Sequence, residues 1–527
     1  MSRSRPRLVV VGDALLDVDV EGAAERLAPD APVPVVDVRT ELDRPGGAGL
    51  AAVLAVRAGA ACTLVTALGD DDAGRRVAAR LAAEGVDVVD LGRLGPTPST
   101  TRVRVGGQVL VRIDHDDDPT RLGPGEPSIR AADLGGAQSA VDEADAVLVA
   151  DHGRGVAGVA HVRRLLLAAA ARTPIVWDPH PLGPPPVPRV ALLTPNDAEL
   201  RRLVAIFVPP AGGEAPAVGA VRSIVGVTGR ARLLREHWRA VAVAVTRGAD
   251  GAVLVTGPGA PLVVPAPEVV GADTGGAGDA FAVHAALALA GGAVHSEAVV
   301  AAVDGAAAFV AAGAAGSVRP PAADAPGRAP ADVGRHDADA WDAADSRAPE
   351  PPSKAMGAAG PSGASSGSNG PATAGAGDAL RLVRSVRAAG GTVVATGGCF
   401  DLLHVGHIRL LEQARRLGDV LVVCLNGDRS VRGLKGGERP VVDERERAEV
   451  LAALGCVDAV VVLDEPTPTA LLERLRPHLF VKGGGDDGGA ELPEAAAVRR
   501  WGGEVVTLTC VDDRSSTRLL QEARRVP

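Results

Sequence analysis

The chain reads as two α/β units of unequal size separated by a segment with no folding pattern of its own. Three observations predict this. Short apolar runs alternate with helical patterns up to residue 318. From 319 to 377 that periodicity collapses into Ala, Pro, Gly and Ser, a composition that buries too little apolar surface to order itself. From Asp378 a second strand–loop–helix succession begins. Alternating strands and helices imply doubly wound, mostly parallel sheets, whose ligands bind beyond the carboxyl ends of the strands.

In chain order, the first unit opens with the strand Leu8-Val9-Val10-Val11 and closes it at Gly12-Asp13. Arg44-Pro45-Gly46-Gly47-Ala48-Gly49 then leads into a helix. Thr63 to Thr66 is a strand, and a helix follows Leu68-Gly69-Asp70-Asp71-Asp72-Ala73-Gly74. Arg102 to Val105 and Val109 to Asp114 alternate apolar and polar around Gly106-Gly107, which predicts a hairpin in a small β-lid. Val147 to Asp151, Pro174 to Pro179, Ala191 to Asn196 and Val241 to Val245 read as buried parallel strands with functional loops at their carboxyl ends. In the second unit, strands at Val393, at Val420 to Leu425, at Ala459 to Leu463 and at Leu479 to Val481 alternate with helices ending at Leu417 and spanning Asp443 to Leu454.

Composition excludes several classes. Net charge is −10, aromatics are 2 % and tyrosine is absent. There is no basic footprint for nucleic acid and no stacking platform for single strands. No run of about 18 apolar residues predicts a membrane span, and the N-terminus does not read as a signal peptide. Cys62, Cys399, Cys424, Cys456 and Cys510 are scattered without a Cys-x-x-Cys, as suits reduced thiols in a cytoplasm. Basic residues are almost all arginine. The lysines are Lys354, Lys435 and Lys482, and the asparagines Asn196, Asn369 and Asn426. Outside the low-complexity stretch, these rare residues fall in candidate site segments.

Two motifs carry chemistry. Cys399-Phe400-Asp401-Leu402-Leu403-His404-Val405-Gly406-His407 lies between an apolar strand and a helical pattern. A helix N-terminus offers unpaired N–H groups and a positive dipole end to phosphate. Two histidines there can donate to phosphate oxygens, and the glycine admits close approach. Upstream, Asp273-Thr274-Gly275-Gly276-Ala277-Gly278-Asp279-Ala280-Phe281 precedes a long small-residue helix. Gly276, Ala277 and Gly278 can present successive N–H groups as an anion hole. Asp279 stands where it would take a proton from an attacking hydroxyl.

The upstream motif resembles the Asp-Thr-x-Gly-Ala-Gly-Asp signature of ribokinase-type (PfkB) sugar kinases, and the downstream one that of cytidylyltransferase-like nucleotidyltransferases. The order of the two resembles the bifunctional family of heptose-7-phosphate kinase fused to heptose-1-phosphate adenylyltransferase. Ala28 to Val36 with Arg44 to Ala48 resembles its kinase half. Asn426 to Gly436, Arg439-Pro440-Val441 and Val481 to Gly484 resemble its transferase half. The resemblance implies a ribokinase-like domain over 1–318, a linker over 319–377 and a smaller Rossmann-like nucleotidyltransferase over 378–527. It implies ATP as substrate and Mg²⁺ for both activities in nucleotide-activated heptose (ADP-heptose) biosynthesis. It also implies a separate phosphatase acting between the two steps, and a homodimer through the lid. The same two reactions on another sugar phosphate or with another nucleoside triphosphate stand as an alternative, as does a sugar-nucleotide-binding regulator with inactive sites.

By the same resemblance Asp279, His404, His407 and Lys435 are catalytic. Asn196 and Glu199 help organise ATP phosphates and, through Glu199, metal; alternatively they cap a helix. Arg247 and Gly248 lie by the nucleotide, or form a plain turn. Asp273, Thr274, Phe400, Arg447, Lys482 and Ser515-Ser516-Thr517 bind ATP or phosphate, the last three alternatively as a helix cap. Asp13, Asp17, Gly46 and Gly47 hold the sugar. Arg102, Arg104 and Arg112 clamp the substrate's distal phosphate, or form a solvated hairpin face. Lys435 is read on a glycine-bounded loop, with Asp401 capping or orienting the loop before His404. Leu50 stands where the family usually has an asparagine, and Asp151-His152-Gly153-Arg154-Gly155 replaces its Asp-Tyr-x-Lys-Gly.

Overall fold

The structure, a computed structural model, describes residues 5–115, 129–130, 132–208, 223–269, 273–318, 376–484 and 493–509. The first unit contributes β1 (Arg7–Gly12), β2 (Ala14–Leu27), β3 (Pro34–Gly47), β4 (Ala61–Thr66), β5 (Asp87–Asp90), β6 (Ser99–Val105) and β7 (Gln108–His115). It continues with β8 (Ala146–Ala150), β9 (Ile175–Asp178), β10 (Leu192–Leu193), β11 (Ala242–Thr246), β12 (Ala252–Val255) and β13 (Leu262–Val264). The second contributes β14 (Val393–Gly398), β15 (Val420–Asn426), β16 (Ala459–Leu463), β17 (Leu479–Gly483) and β18 (Glu504–Leu508).

β1 is an interior strand of its unit, pairing in parallel with β4 and β8. Its Leu8, Val9, Val10 and Val11 are all buried, because helices cover both faces of a parallel sheet and leave no side for polar residues. Gly12 ends β1 so close to its neighbour that a Cβ would lie 2.0 Å from the Ala150 carbonyl oxygen. The helix Ala48–Arg57 covers one face with residues of small and medium size, nearly all buried. The helix Asp72–Ala83 is capped by Asp71, whose carboxylate accepts the Gly74 N–H at 2.8 Å. β3, β2, β6 and β7 form a separate 4-stranded sheet in that order. This is the predicted lid, with β6 and β7 the predicted hairpin.

The second unit has the strand order β16-β15-β14-β17-β18, all parallel. Its first helix, Ala376–Ala388, begins two residues before the predicted restart of order, so Ala376 and Gly377 belong to the unit and not to the linker. The rest of the predicted linker lies outside the described residues. The two units do not carry separate sheets. β18 pairs in parallel with β13, so one 14-stranded sheet runs from β16 to β5. Among its pairings, β11–β12 and β12–β13 are antiparallel. An apolar cluster containing Val263 of the first unit and Leu508 and Val506 of the second crosses the junction.

Candidate active sites

The first site is a cavity of about 290 Å³ between the lid and the loops that follow β8 and β9. The helix Ala277–Ala290 starts at its floor. Gly276 caps that helix at φ 81°, a left-handed conformation that favours glycine, and a Cβ there would sit 2.7 Å from Leu50 Cδ2. Leu50 is buried and lines the cavity beneath this turn. The Ala277 N–H is taken by the Thr274 carbonyl at 3.1 Å. Of the predicted anion hole, therefore, Ala277 is spent on the turn. Gly278, at the second helical position, carries one of the N–H groups that helix geometry leaves without a partner.

Asp279 follows in the first turn, its side chain 13 % exposed. Burial pushes its carboxyl up to about 6; His152 opposes that shift, while Asp17 and Glu199 add to it. His152 Nε2 lies 3.7 Å from Asp279 Oδ1. Around this carboxylate the lid presents arginines held in place by acids. Arg44 pairs with Asp17 at 2.9 Å and Asp19 at 2.8 Å. Arg102 meets Asp17 at 3.0 Å, and Arg104 meets Asp273 at 2.8 Å. Arg112 pairs with Asp114 at 2.8 Å on the hairpin's exposed strand. Arg44, Arg102, Arg104, Arg112 and Arg154 all line the cavity.

The second site is the turn between β14 and the helix Val405–Arg416. Phe400 and Leu402 both take positive φ, 44° and 55°, which folds the turn tightly. His404 is the helix N-cap residue and His407 lies in the first turn. Their rings stack with centroids 3.9 Å apart. Phe400 is buried and sets its ring 5.3 Å from that of His407. Burial lowers His407 to about 4, and His404 and then Lys435 push the same way. The imidazole is thus neutral at pH 7, with Lys435 near enough to be felt. Asp401 is buried beneath the turn. It accepts from Arg439 Nε at 2.5 Å and from the N–H groups of Val441 at 3.0 Å and Val442 at 3.2 Å. It ties the loop to Arg439-Pro440-Val441.

These two sites lie within regions that match known families. Residues 5–321 match the pfkB family of carbohydrate kinases, and residues 395–519 match the cytidylyltransferase-like family. The chain is 45 % identical over 520 residues to the bifunctional protein HldE of Streptomyces coelicolor, covering 98 % of this chain and 97 % of that one. HldE of Geotalea uraniireducens is 34 % identical, with 98 % and 96 % covered, and that of Azorhizobium caulinodans 35 %, with 98 % of each covered. The chain belongs to the bifunctional HldE family. It is a sugar kinase and a nucleotidyltransferase in one polypeptide.

In this HldE-family chain several expected contacts turn out differently. Asp13 does not line the kinase cavity. It is 2 % exposed and accepts the N–H groups of His152 at 3.3 Å, Arg154 at 3.0 Å and Val156 at 3.0 Å. It fixes the loop after β8. Asp17 and Gly47 do line the cavity. Gly46 lies behind them, where a Cβ would fall 2.9 Å from the Asp17 carboxyl carbon. Asn196 and Glu199 form a reciprocal capping box. Asn196 Oδ1 accepts the Glu199 N–H at 2.9 Å and Glu199 Oε2 accepts the Asn196 N–H at 2.9 Å. The capping reading therefore holds, while Glu199 still contributes charge that raises Asp279 and Asp178.

Arg247 is not brought to Asp279. With Asp250, 3.4 Å away, it lines a different cavity at the junction of the two halves. Gly248 follows it at φ 61° and begins a short turn.

Arg447 is the clearest correction in the transferase half. Its side chain is 1 % exposed. Nε donates to Val442 O at 2.9 Å, Nη1 to Cys399 O at 2.5 Å and Asn426 O at 2.8 Å, and Nη2 to Asp428 at 2.7 Å. It staples the turn to neighbouring loops instead of meeting phosphate. Phe400 likewise acts by packing on His407. Lys435 is not on a loop. It ends the helix Asp428–Lys435, with Gly436 as the C-cap residue. Lys482 pairs with the buried Glu494 at 3.0 Å. Ser515, Ser516 and Thr517 lie outside the described residues.

The cavity also holds residues that sequence reasoning did not assign to it: Arg44, His152, Arg154 and His180. A signal existed. His152-Gly153-Arg154 and His180 directly follow apolar strands, at the carboxyl ends where ligands bind. Among the described residues, no group of three or more His, Cys, Asp or Glu stands close enough to hold a metal ion, and no helix is long and apolar enough to cross a membrane.

Proposed function

We propose that the kinase half, residues 1–318, phosphorylates D-glycero-D-manno-heptose 7-phosphate at O1, and that the transferase half, residues 378–527, adenylylates heptose 1-phosphate. The observation that carries this is the pairing of Asp279 with a set of lid arginines in one cavity. Such a cavity offers a base to a hydroxyl at one end of a substrate and cations to a phosphate at the other. In the first step the O1 proton passes to Asp279, O1 bonds to the γ-phosphorus, and the bond from that phosphorus to the bridging oxygen breaks, releasing ADP. In the second, a phosphate oxygen of the sugar attacks the α-phosphorus of ATP and pyrophosphate leaves. His404 and His407, at the helix N-terminus, donate to the phosphates as charge builds.

Mg²⁺ bound to the triphosphate neutralises phosphate charge in both steps. Glu199 would hold it indirectly, beside the triphosphate. The distal phosphate that suits the first cavity has to be removed before the second step, which calls for a separate phosphatase. The lid strand β7 exposes Val109, Leu110, Val111 and Ile113. This supports a homodimer formed through the lid. ATP dependence and the free cysteines among the described residues support a cytoplasmic enzyme.

The test is a substrate panel on the full chain. ADP release should be fastest with heptose 7-phosphate among sugar phosphates, and pyrophosphate release should require heptose 1-phosphate. A higher kcat/KM with fructose 6-phosphate or ribose would replace the proposed sugar. No pyrophosphate release with any sugar 1-phosphate would remove the transferase assignment.

A further inference from the structure

The junction between the halves is built as a specific interface. β13 is a three-residue strand, Leu262–Val264, at the edge of the kinase sheet. An edge strand exposes a row of N–H and C=O groups that invites another strand. β18 fills that place in parallel register, Leu262 opposite Thr507 and Val263 opposite Leu508. The Thr507 N–H donates to the Pro261 carbonyl at 2.9 Å. Arg499 reaches across to the Pro258 carbonyl at 2.7 Å.

Beside the strands lies a charged lock. Arg232, on the helix Ile224–Trp238, holds Glu504 with both nitrogens, Nη1 to Oε2 at 2.7 Å and Nη2 to Oε1 at 3.0 Å. Nη2 also reaches the Gly259 carbonyl at 3.1 Å. The Glu504 side chain is 6 % exposed. A carboxylate that deep is costly without its partner, and a bidentate guanidinium fixes orientation as well as charge. The pair therefore disfavours every docking that does not bring Arg232 to Glu504. Next to it, Val263 and Leu508 share one apolar cluster.

We propose that the transferase half docks on the kinase half of the same chain by strand addition, β18 on β13, and that Arg232–Glu504 selects this geometry. The catalytic halves then form one body with a fixed mutual orientation. The cavity of about 330 Å³ at the junction has walls from both halves, among them Arg247 and Asp250 on one side and Gln413 and Arg416 on the other.

The experiment is residue-resolved amide exchange on the full chain, with the mass in solution measured by light scattering. The Thr507 amide should be protected in a monomer or in a dimer whose halves remain joined within each chain. Arg232→Ala should raise its exchange rate about tenfold or more, because Glu504 is left buried and unpaired. Adding Glu504→Gln should restore part of the protection. Amides of β15, remote from the junction, should stay protected in all variants and report an intact transferase fold. A Thr507 amide that exchanges freely in the parent overturns the proposal, as does one that Arg232→Ala leaves unchanged. Protection that disappears on dilution, in step with loss of a dimer, would move the contact to a second copy and overturn the intrachain assignment.

Discussion

His152 Nε2 faces Asp279 Oδ1 across 3.7 Å. A histidine from the loop after β8 thereby sits beside the carboxylate that opens the helix Ala277–Ala290. Its effect is electrostatic. Burial and the acids Asp17 and Glu199 raise Asp279, and His152 draws it back, leaving the group at about 6. A base with that value is ionised at neutral pH, yet basic enough to accept a hydroxyl proton.

Replacing Asp279 tests the proposed base directly. Asp279→Asn should preserve the fold, since the side chain keeps its size at the helix start. Sugar phosphorylation should fall by roughly 10²–10⁴, the span of a positioned general base. Pyrophosphate release by the other half should be unchanged. Phosphorylation at near-parent rates would exclude Asp279 as the base.

The pH profile gives a second check. The carboxyl must be ionised to act, and its value stands at about 6, above the ordinary 3.8. The kcat/KM for phosphorylation should be level above pH 7 and fall on the acid side through pH 6. His152→Gln removes the group that lowers Asp279, so the limb should move to higher pH. An unmoved limb in this variant would show that His152 does not tune the base.

In the transferase half, His407→Ala should slow pyrophosphate release far more than it weakens ATP binding, because its donor matters most when charge develops. A barrier increase of roughly 3–4 kcal/mol is expected for one preorganised donor. Protons should also report on this residue. Free His407 titrates near 4, held down by burial, His404 and Lys435. A triphosphate favours the charged imidazole, so ATP binding near pH 5 should take up protons. The stability sign follows from the same depression. Between pH 6.5 and 4 the unfolded chain binds the proton and the folded one does not, so stability falls as pH drops through that window. Calorimetry in buffers of different ionisation enthalpy measures the uptake, and parent-rate turnover in His407→Ala would remove the histidine from the mechanism.

Arg447→Ala should behave as a stability variant. The change strips four donated hydrogen bonds and leaves Asp428 with Arg432 alone, 3.8 Å away. The loss should fall below the about 3–5 kcal/mol of a fully buried broken pair, because Asp428 is 21 % exposed and keeps Arg432. Urea denaturation followed by exchange of β14 and β15 amides should show the loss. A stable variant with a much raised KM for ATP would instead make Arg447 a ligand contact.

The parts of both sites that were legible before the fold was known are the ones built from consecutive residues. Gly276, Gly278 and Asp279 lie on one turn, and so do His404 and His407. Strand–turn–helix order alone places such residues at a helix N-terminus. The misread residues are those whose role depends on what they meet across the fold. Arg447 and Asp13 look like ligand contacts in one dimension. In three, their side chains face backbone groups of other loops, because buried loops need partners for their N–H and C=O groups. Lys435 was misplaced because Gly433 and Gly436 suggested a loop, whereas only Gly436 ends the helix.

Sequence alone determined the two α/β units, the lid hairpin and the two glycine-bearing turns at helix N-termini, since hydrophobic period and glycine placement act over a few residues at a time. Tertiary structure decided which arginines converge on Asp279, since Arg44, Arg102 and Arg154 come from separate strands and loops. It also decided that β18 completes the kinase sheet at β13. An open strand edge pairs with any strand of suitable register, and what selects one is the burial of Glu504 against Arg232, a contact between residues 272 positions apart. No local pattern encodes a pairing of that separation; only packing the two halves together brings the charges within reach.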